Sequence, residues 1–294
     1  MPDLSLAAIP FPKIDPVFFH IGPLPIRWYA LAYLAAFVAG WRYMLVICQT
    51  DRLWRAKDEA VGQCPLTRDD VDEFLFWAIL GVLIGARLGF VLLYRPHMIW
   101  SDPLRIPQMW TGGMSFDGGL VGVTLAMWGV ARARKAPVLR LADACAPVVP
   151  IGLFFGRLAN FINGELWGRV TDAPWAMVFP GAGPLPRHPS QLYEAALEGV
   201  VLFIILSILV WRGRGLRRPG LVTGAFLAGY GVFRSLVETV RQPDDGVLNL
   251  PFGLTLGILY SLPMVLIGVG LMLNALRRPP EPGRDRPQLA DAEA

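Results

Sequence analysis

The chain has 294 residues, 54% of them hydrophobic and 17% charged, with a mean hydropathy of +0.46. Soluble domains run near ~45–50% and ~25% on the first two measures, so a soluble fold is excluded and a polytopic membrane protein is indicated. A net charge of +4 and a pI near 9.1 would suit a nucleic-acid binder, but the basic residues sit in short loops between apolar runs, as membrane topology requires.

The first 28 residues are rich in proline and aromatics and lack a basic start followed by an apolar core, so no cleavable signal peptide is expected. The first apolar segment, Trp28–Cys48, is entered through Ile26-Arg27-Trp28-Tyr29-Ala30. From position alone Tyr29 reads equally as an interfacial belt residue or as a functional one. Arg42, near the inner end beside Trp41 and Tyr43, is expected to snorkel to the interface. The second segment, Val71–Tyr94, carries Arg87 within Gly85-Ala86-Arg87-Leu88-Gly89, where small neighbours let another helix approach closely. Structural pairing and ligand contact are both open for Arg87. The third, Leu120–Ala133, is short. It spans only if the glycine-rich stretch Gly112–Gly119 lies partly at membrane depth, buried in protein.

The fourth segment, Ala142–Asn163, runs into the string Gly156-Arg157-Leu158-Ala159-Asn160-Phe161-Ile162-Asn163-Gly164-Glu165-Leu166-Trp167-Gly168-Arg169. Charged groups at mid-bilayer cost roughly 2.5 kcal/mol or more each unless they face a partner or a water-filled cavity. On a helix, Arg157, Asn160 and Asn163 follow at steps of three and form one polar stripe. Gly164 can then break the helix and turn Glu165 back toward it, an arrangement suited to an anionic headgroup. The loop Gly164–Pro189 is expected to fold as a small head. His188-Pro189-Ser190-Gln191-Leu192-Tyr193-Glu194 opens the fifth segment, Gln191–Trp211, with Ser190 as a plausible N-cap. The sixth, Gly220–Val240, holds Arg234 and Glu238, with Arg241 just beyond it, at i, i+4 and i+7 on one helical face. That face is read either as an intrahelical ion-pair stripe or as a rigid phosphate clamp. Leu254–Leu276 is the seventh segment. Residues 1–276 are thus expected to form one integral membrane domain, and the Pro-, Arg- and acid-rich tail 277–294 to be disordered.

If successive segments cross the membrane, one set of loops holds sixteen Lys and Arg residues and the other seven. The positive-inside rule then places the N-terminus outside, the C-terminus in the cytoplasm and the loop 164–190 outside. The three cysteines, Cys48, Cys64 and Cys145, are unpatterned, and His20, His97 and His188 are far apart, so no metal site is expected. No internal repeat is found, which weighs against an inverted-repeat transporter.

The string from Gly156 to Arg169 resembles the signature of the bacterial prolipoprotein diacylglyceryl transferases. The segments around Tyr29, His188–Glu194 and Arg234–Asp244 are similar to further blocks of that family, in the family's order. The resemblance implies an all-α polytopic fold of about seven transmembrane helices with a small extracytoplasmic head, in the bacterial cytoplasmic (inner) membrane. It implies transfer of the diacylglyceryl group of phosphatidylglycerol to the lipobox cysteine thiol of a prolipoprotein signal peptide, giving a thioether and glycerol phosphate. No metal, redox cofactor or nucleic acid is called for.

Cations must hold the leaving phosphate, and Arg157 and Arg234 are the first choices. Asn160 and Asn163 can donate to ester or phosphate oxygens. Tyr29, Arg87, Gly168 and Arg241 complete the expected contacts to phosphatidylglycerol. The nucleophile is the substrate's own thiol, so a base is needed rather than an enzyme cysteine. Gly112-Gly113-Met114-Ser115-Phe116-Asp117-Gly118-Gly119 looks like the family's glycine-rich loop, but Asp117 stands where the family usually has histidine. A carboxylate can accept a thiol proton but cannot act as a cationic phosphate ligand. Asp117, Glu165, Glu238 and His188 are the candidate bases. The alternatives are a membrane transporter or lipid carrier using the same Arg–Glu pairs, or a structural membrane subunit, which leaves the polar blocks unexplained.

Overall fold

The computed structural model describes residues 9–12, 14–55, 64–242 and 255–281; of the tail expected to be disordered, residues 282–294 lie outside them, whereas Arg277 is the last residue of a helix and Glu281 N donates to the Arg217 carbonyl. The described chain is mostly helical. Two short strands, β2 (Val17–Ile21) and β3 (Leu24–Arg27), form an antiparallel hairpin leading into α1 (Trp28–Gln49). Then come α2 (Arg68–Gly89), extended by a π-helical turn Phe90–Tyr94, the short α3 (Met98–Ser101), and α4 (Phe116–Ala133). A bent pair follows, α5 (Val138–Cys145) and α6 (Val149–Ile162). The next helix is composite: α7 (Ser190–Glu194), a π-helical stretch Ala195–Val201, and α8 (Leu202–Trp211). The last two are α9 (Leu221–Glu238) and α10 (Leu256–Arg277).

These helices coincide with the seven apolar segments, but not all meet the length and hydropathy of a spanning helix. Among the described residues four do: Trp28–Gln49, Arg68–Tyr94, Ser190–Trp211 and Gly257–Arg277. The pair α5–α6, bent by 44°, makes a fifth if counted as one span. The chain is therefore a polytopic, membrane-embedded helical protein. Its large apolar side chains point outward, as in Leu83, Ile84, Leu125, Ile205, Leu266 and Ile267, while Asp143, Glu194, Glu198 and Gln191 are fully enclosed. That inversion is expected of a chain solvated by lipid.

The described residues pack as two compact units, one of residues 9–43 and 143–281, the other of residues 44–142. In the second unit, a capping box starts α2: the Thr67 hydroxyl accepts from Asp70 N at 3.2 Å and Asp70 Oδ2 from Thr67 N at 2.7 Å. The third apolar segment is corrected here. Helix α4 begins at Phe116, not Leu120, because the Ser115 hydroxyl accepts from Gly118 N and caps it. Gly118 and Gly119 are thus helical, and Asp117 lies in a first turn rather than a loop. The glycines serve close approach: Gly81, Gly85 and Gly89 of α2 lie against Gly118 and Gly122 of α4, and a Cβ at Gly85 or Gly118 would overlap the facing backbone.

In the first unit, the buried Asp143 carboxylate accepts from Gly220 N (2.6 Å), Thr223 N (2.8 Å) and the Thr223 hydroxyl (2.7 Å), satisfying the start of α9. Arg218 donates to the carbonyls of Ala275, Leu276 and Arg278 at the end of α10. Gly224 packs on Gly268 in the α9–α10 contact. The loop after α6 is ordered by pairing rather than helix. β1 (Ile9–Pro10) runs parallel to β4 (Met177–Val178), and bridges join Val170 and Met177 to Arg187 and Gly168 to Arg241. Phe11 packs on Phe161 and Phe179, tying that loop to α6.

Candidate functional site

The site lies in the first unit, where α6, the composite α7–α8 helix and α9 bring their polar residues together. Arg157 of α6 places Nε 3.3 Å from Glu194 Oε2 and one terminal nitrogen 3.8 Å from Glu198. Arg234 of α9 reaches Glu194 Oε1 at 2.6 Å and Glu238 Oε2 at 2.9 Å. Arg241 lies 3.9 Å from both Glu194 and Glu238. Three guanidiniums and three carboxylates form one network, and Glu194, which meets all three arginines, is its hub. A buried pair persists only when its charges are matched.

The arrangement has a direction. The side chains of Arg157 and Arg234 are 18% and 13% exposed, whereas those of Glu194 and Glu198 are fully buried and Glu238 is 4% exposed. The carboxylates form the backing and the guanidiniums the face a ligand can touch. Two devices hold the backing. The π-helical stretch begins directly after Glu194 and contains Glu198, and its Gly199 lets Phe154 of α6 approach: a Cβ there would lie 2.8 Å from Phe154 Cβ. π-helical insertions are enriched at functional sites. The first turn of α10 also abuts Glu238, since a Cβ at Gly257 would sit 2.5 Å from its carboxyl carbon.

Beside the ion network runs a chain of neutral hydrogen bonds. Asn160 Nδ2 donates to the Tyr29 hydroxyl at 2.8 Å and to Glu165 Oε1 at 2.9 Å; Asn163 Nδ2 donates to the same Glu165 oxygen at 3.4 Å. The reversal is made as the sequence suggests: Gly164 takes φ +66°, and Glu165 N donates back to Asn160 O. Gln191 Nε2 donates to the Glu165 carbonyl at 2.5 Å. The polar stripe therefore divides, with Arg157 joining the ion network and the two asparagines joining Tyr29 and Glu165. Asn163 Oδ1 and Gln191 Oε1 are buried with no hydrogen-bond partner among the described residues.

Two details of the sequence reading are corrected. Ser190 does not cap the fifth helix. It is the first helical residue, and its hydroxyl donates to the Leu166 carbonyl at 3.0 Å, pinning the loop. Helix α9 stops at Glu238, so Arg241 reaches the network from the turn beyond it. Arg241 is placed by its backbone: its carbonyl accepts from Arg169 Nε at 3.0 Å and it bridges to Gly168. Gly168 is needed for that approach, since a Cβ would lie 2.6 Å from His188 Cβ and 2.7 Å from the Val240 carbonyl oxygen.

His188 sits at the loop edge, with Nδ1 3.1 Å from the Tyr193 hydroxyl, which accepts from Trp175 Nε1 at 2.6 Å. Burial lowers the His188 pKa below its ordinary 6.5, so the ring is neutral at pH 7.

Arg87 and Asp117 belong to the second unit. Arg87 is buried and donates through all three nitrogens: Nε to Ile106 O (2.7 Å), one terminal nitrogen to the carbonyls of Gly112 and Gly113, the other to Arg105 O (2.7 Å) and the Thr111 hydroxyl (3.4 Å). Asp117 is exposed, and no hydrogen bond or ion pair engages its side chain among the described residues.

Glu194 and Glu198 are the members of the network not among the site residues expected from the sequence. The signal was present: Glu194 and Glu198 are two acids at helical spacing inside an apolar run, the kind of intramembrane group that marks a site. Because Glu194 is the shared counter-ion, Glu194→Ala is expected to destabilise the fold by about 3–5 kcal/mol by leaving buried guanidiniums unmatched. Reversible unfolding in mixed micelles measures this, and a loss under about 1 kcal/mol would mean the hub carries little of the fold.

The family model described as prolipoprotein diacylglyceryl transferase matches residues 16–274. A curated phosphatidylglycerol–prolipoprotein diacylglyceryl transferase of Phenylobacterium zucineum (strain HLK1) is 51% identical over 285 residues, covering 93% of this chain and 97% of that protein. Proteins of the same name from Rhizobium meliloti (strain 1021) and Sinorhizobium medicae (strain WSM419) are 52% and 53% identical over 271 residues, covering 92% of this chain and 95% of each.

Proposed function

The chain belongs to the prolipoprotein diacylglyceryl transferase family, and on that premise we propose that the Arg–Glu network holds the phosphate of the lipid donor. The protein transfers the diacylglyceryl group of phosphatidylglycerol to a prolipoprotein; a transporter or lipid carrier is not favoured. The observation that carries the assignment to the network is its polarity, with Glu194 and Glu198 fully enclosed and the side chains of Arg157 and Arg234 partly accessible in front of them.

In this reading the donor enters sideways from the bilayer. Its phosphodiester meets the exposed faces of Arg157 and Arg234, with Arg241 behind them. Guanidinium forks suit phosphate oxygens, and carboxylates behind them keep the forks from swinging. The lipobox thiol gives its proton to a base. The thiolate sulfur attacks the glyceryl carbon that bears the phosphate, the carbon–sulfur bond forms, and the carbon–oxygen bond breaks. The electron pair stays on the phosphate oxygen of the departing glycerol phosphate, where the arginines stabilise it. Tyr29, Asn160, Asn163 and Glu165 supply donors and acceptors for the rest of the headgroup. Asp117, Glu165, Glu238 and His188 are the candidate bases, and among the described residues Asp117 is the one whose side chain no hydrogen bond or ion pair engages.

The direct test is to incubate the purified protein with phosphatidylglycerol and a lipobox peptide. The expected product is a peptide heavier by one diacylglyceryl group, with equimolar glycerol phosphate; lipid recovered unchanged would refute the transferase reading.

The site faces the extracytoplasmic side of a bacterial inner membrane, with the N-terminus outside, the C-terminus inside, about seven crossings and the loop 164–190 as a small outer head. Sixteen basic residues in one set of loops against seven in the other support this. On a cysteine-free background, an impermeant thiol reagent is expected to label Leu185→Cys in intact spheroplasts and to spare Ala133→Cys until the membrane is opened. The reverse pattern would invert the topology.

A further inference from the structure

The second unit contains a cleft of about 290 Å³ lined by Arg87, Arg95, Ser101, Asp102 and Arg105. Arg87 lies at this cleft yet is only 2% exposed. Its hydrogen-bond partners are four carbonyls and a hydroxyl, all neutral. Among the described residues no carboxylate comes within ion-pair distance of Arg87, Arg95 or Arg105. A buried guanidinium with its donors satisfied and its charge unmatched is costly, and it needs an anion nearby. Three guanidiniums face one lining carboxylate, Asp102, so these groups give the cleft a net charge of about +2.

Its surroundings point to a particular anion. Leu92, Leu93 and Tyr94 precede the cleft and are exposed, and Trp100 and Leu104, on the segment that forms its wall, are 74% and 81% exposed. Bare apolar and aromatic side chains interleaved with arginines are the composition of a segment seated at the lipid headgroup level. The geometry points to a phosphate-ester site, which we propose takes the headgroup of an anionic membrane phospholipid or a free glycerol phosphate. The site is built from residues of the second unit only, and it extends the reading of the protein as an enzyme of anionic lipids. Arg95 and Arg105 grip the phosphate oxygens, and Arg87 supplies the fixed positive floor.

The test uses the full-length protein in phosphatidylcholine nanodiscs doped with a photoactivatable phosphatidylglycerol carrying its reactive group on the headgroup, and peptide mapping of the adducts. The phosphatidylglycerol probe is expected to label the segment 95–105, and a matched phosphatidylcholine probe is not. The double variant Arg95→Gln/Arg105→Gln should lower that labelling at least roughly tenfold, the loss of one charge-assisted hydrogen bond or more. Ser101→Trp keeps every guanidinium and fills the cleft, so it should lower labelling as well. Competition by millimolar glycerol phosphate would assign the site to the free phosphate ester, and its absence to the lipid. Equal labelling by both probes, or undiminished labelling in either variant, would overturn the site. Because the readout does not pass through turnover, failure of the transferase reading is registered separately by the lipobox-peptide assay.

Discussion

Asp117→Asn is expected to slow transfer by about 10²–10⁴-fold while leaving the KM for phosphatidylglycerol within a few-fold of the parent. The substitution keeps the shape of the side chain and removes its capacity to take a proton. The choice of Asp117 rests on which lone pairs are free. Glu165 Oε1 already accepts from two asparagine amides, and Glu238 lies between Arg234 and Arg241. His188 has Nδ1 engaged by Tyr193. Asp117 stands exposed in the first turn of α4, unengaged among the described residues. Asp117→His restores the residue usual in the family and should remain active, with the pH–rate profile moved toward the imidazole range. The deciding quantity is kcat of Asp117→Asn at saturating donor. A value within a few-fold of the parent transfers the base role to Glu165, Glu238 or His188.

Arg157→Ala is expected to lose about 10²–10³-fold in turnover, the cost of removing one preorganised donor at a developing oxyanion. The same change leaves Glu198 without its cation, so part of the loss would be structural. Arg157→Lys separates the two. It retains a positive charge beside Glu194 and Glu198 but cannot hold two phosphate oxygens at once, so it should restore thermal stability more fully than rate. Near-normal transfer by Arg157→Ala would remove Arg157 from the mechanism.

The helices were legible because apolar runs bounded by charge dictate them: α1 and α10 fall within two residues of the segments read at Trp28–Cys48 and Leu254–Leu276. The site was legible where polar residues cluster along the chain, as from Arg157 to Glu165. What the sequence concealed depends on distant partners. Nothing near Glu194 indicates that it is the hub for three arginines drawn from α6, α9 and the turn after it. The carbonyls that surround Arg87 come from a loop 18 to 26 residues downstream, a closure no local pattern announces. Local preference also misled. Ser190 has the chemistry of an N-cap, yet the Leu166 carbonyl, brought close by the folded loop, takes its proton. The number of crossings is the other case. α4 and α9, each 18 residues long, coincide with apolar segments but fall short of the hydropathy that marks the other spans.

The π-helical stretch Ala195–Val201 limits how this gene can change length. Each residue of an α-helix advances the side-chain direction by about 100°. The wide π turns take up about one residue more than α pitch would, so losing one residue there would return the stretch to ordinary α pitch, leave the downstream helix near its present register, and shift the residues inside the stretch, Glu198 among them, relative to Glu194. Leu202, Leu206 and Val210 would stay enclosed and the helix would remain long enough to cross the bilayer, while Glu198 would lose its place beside Arg157. Apart from Glu198 and Gly199, point substitutions in this stretch are open to evolutionary drift, whereas single-codon deletions should be purged, and a deletion scan through residues 195–201 should yield inserted but inactive protein.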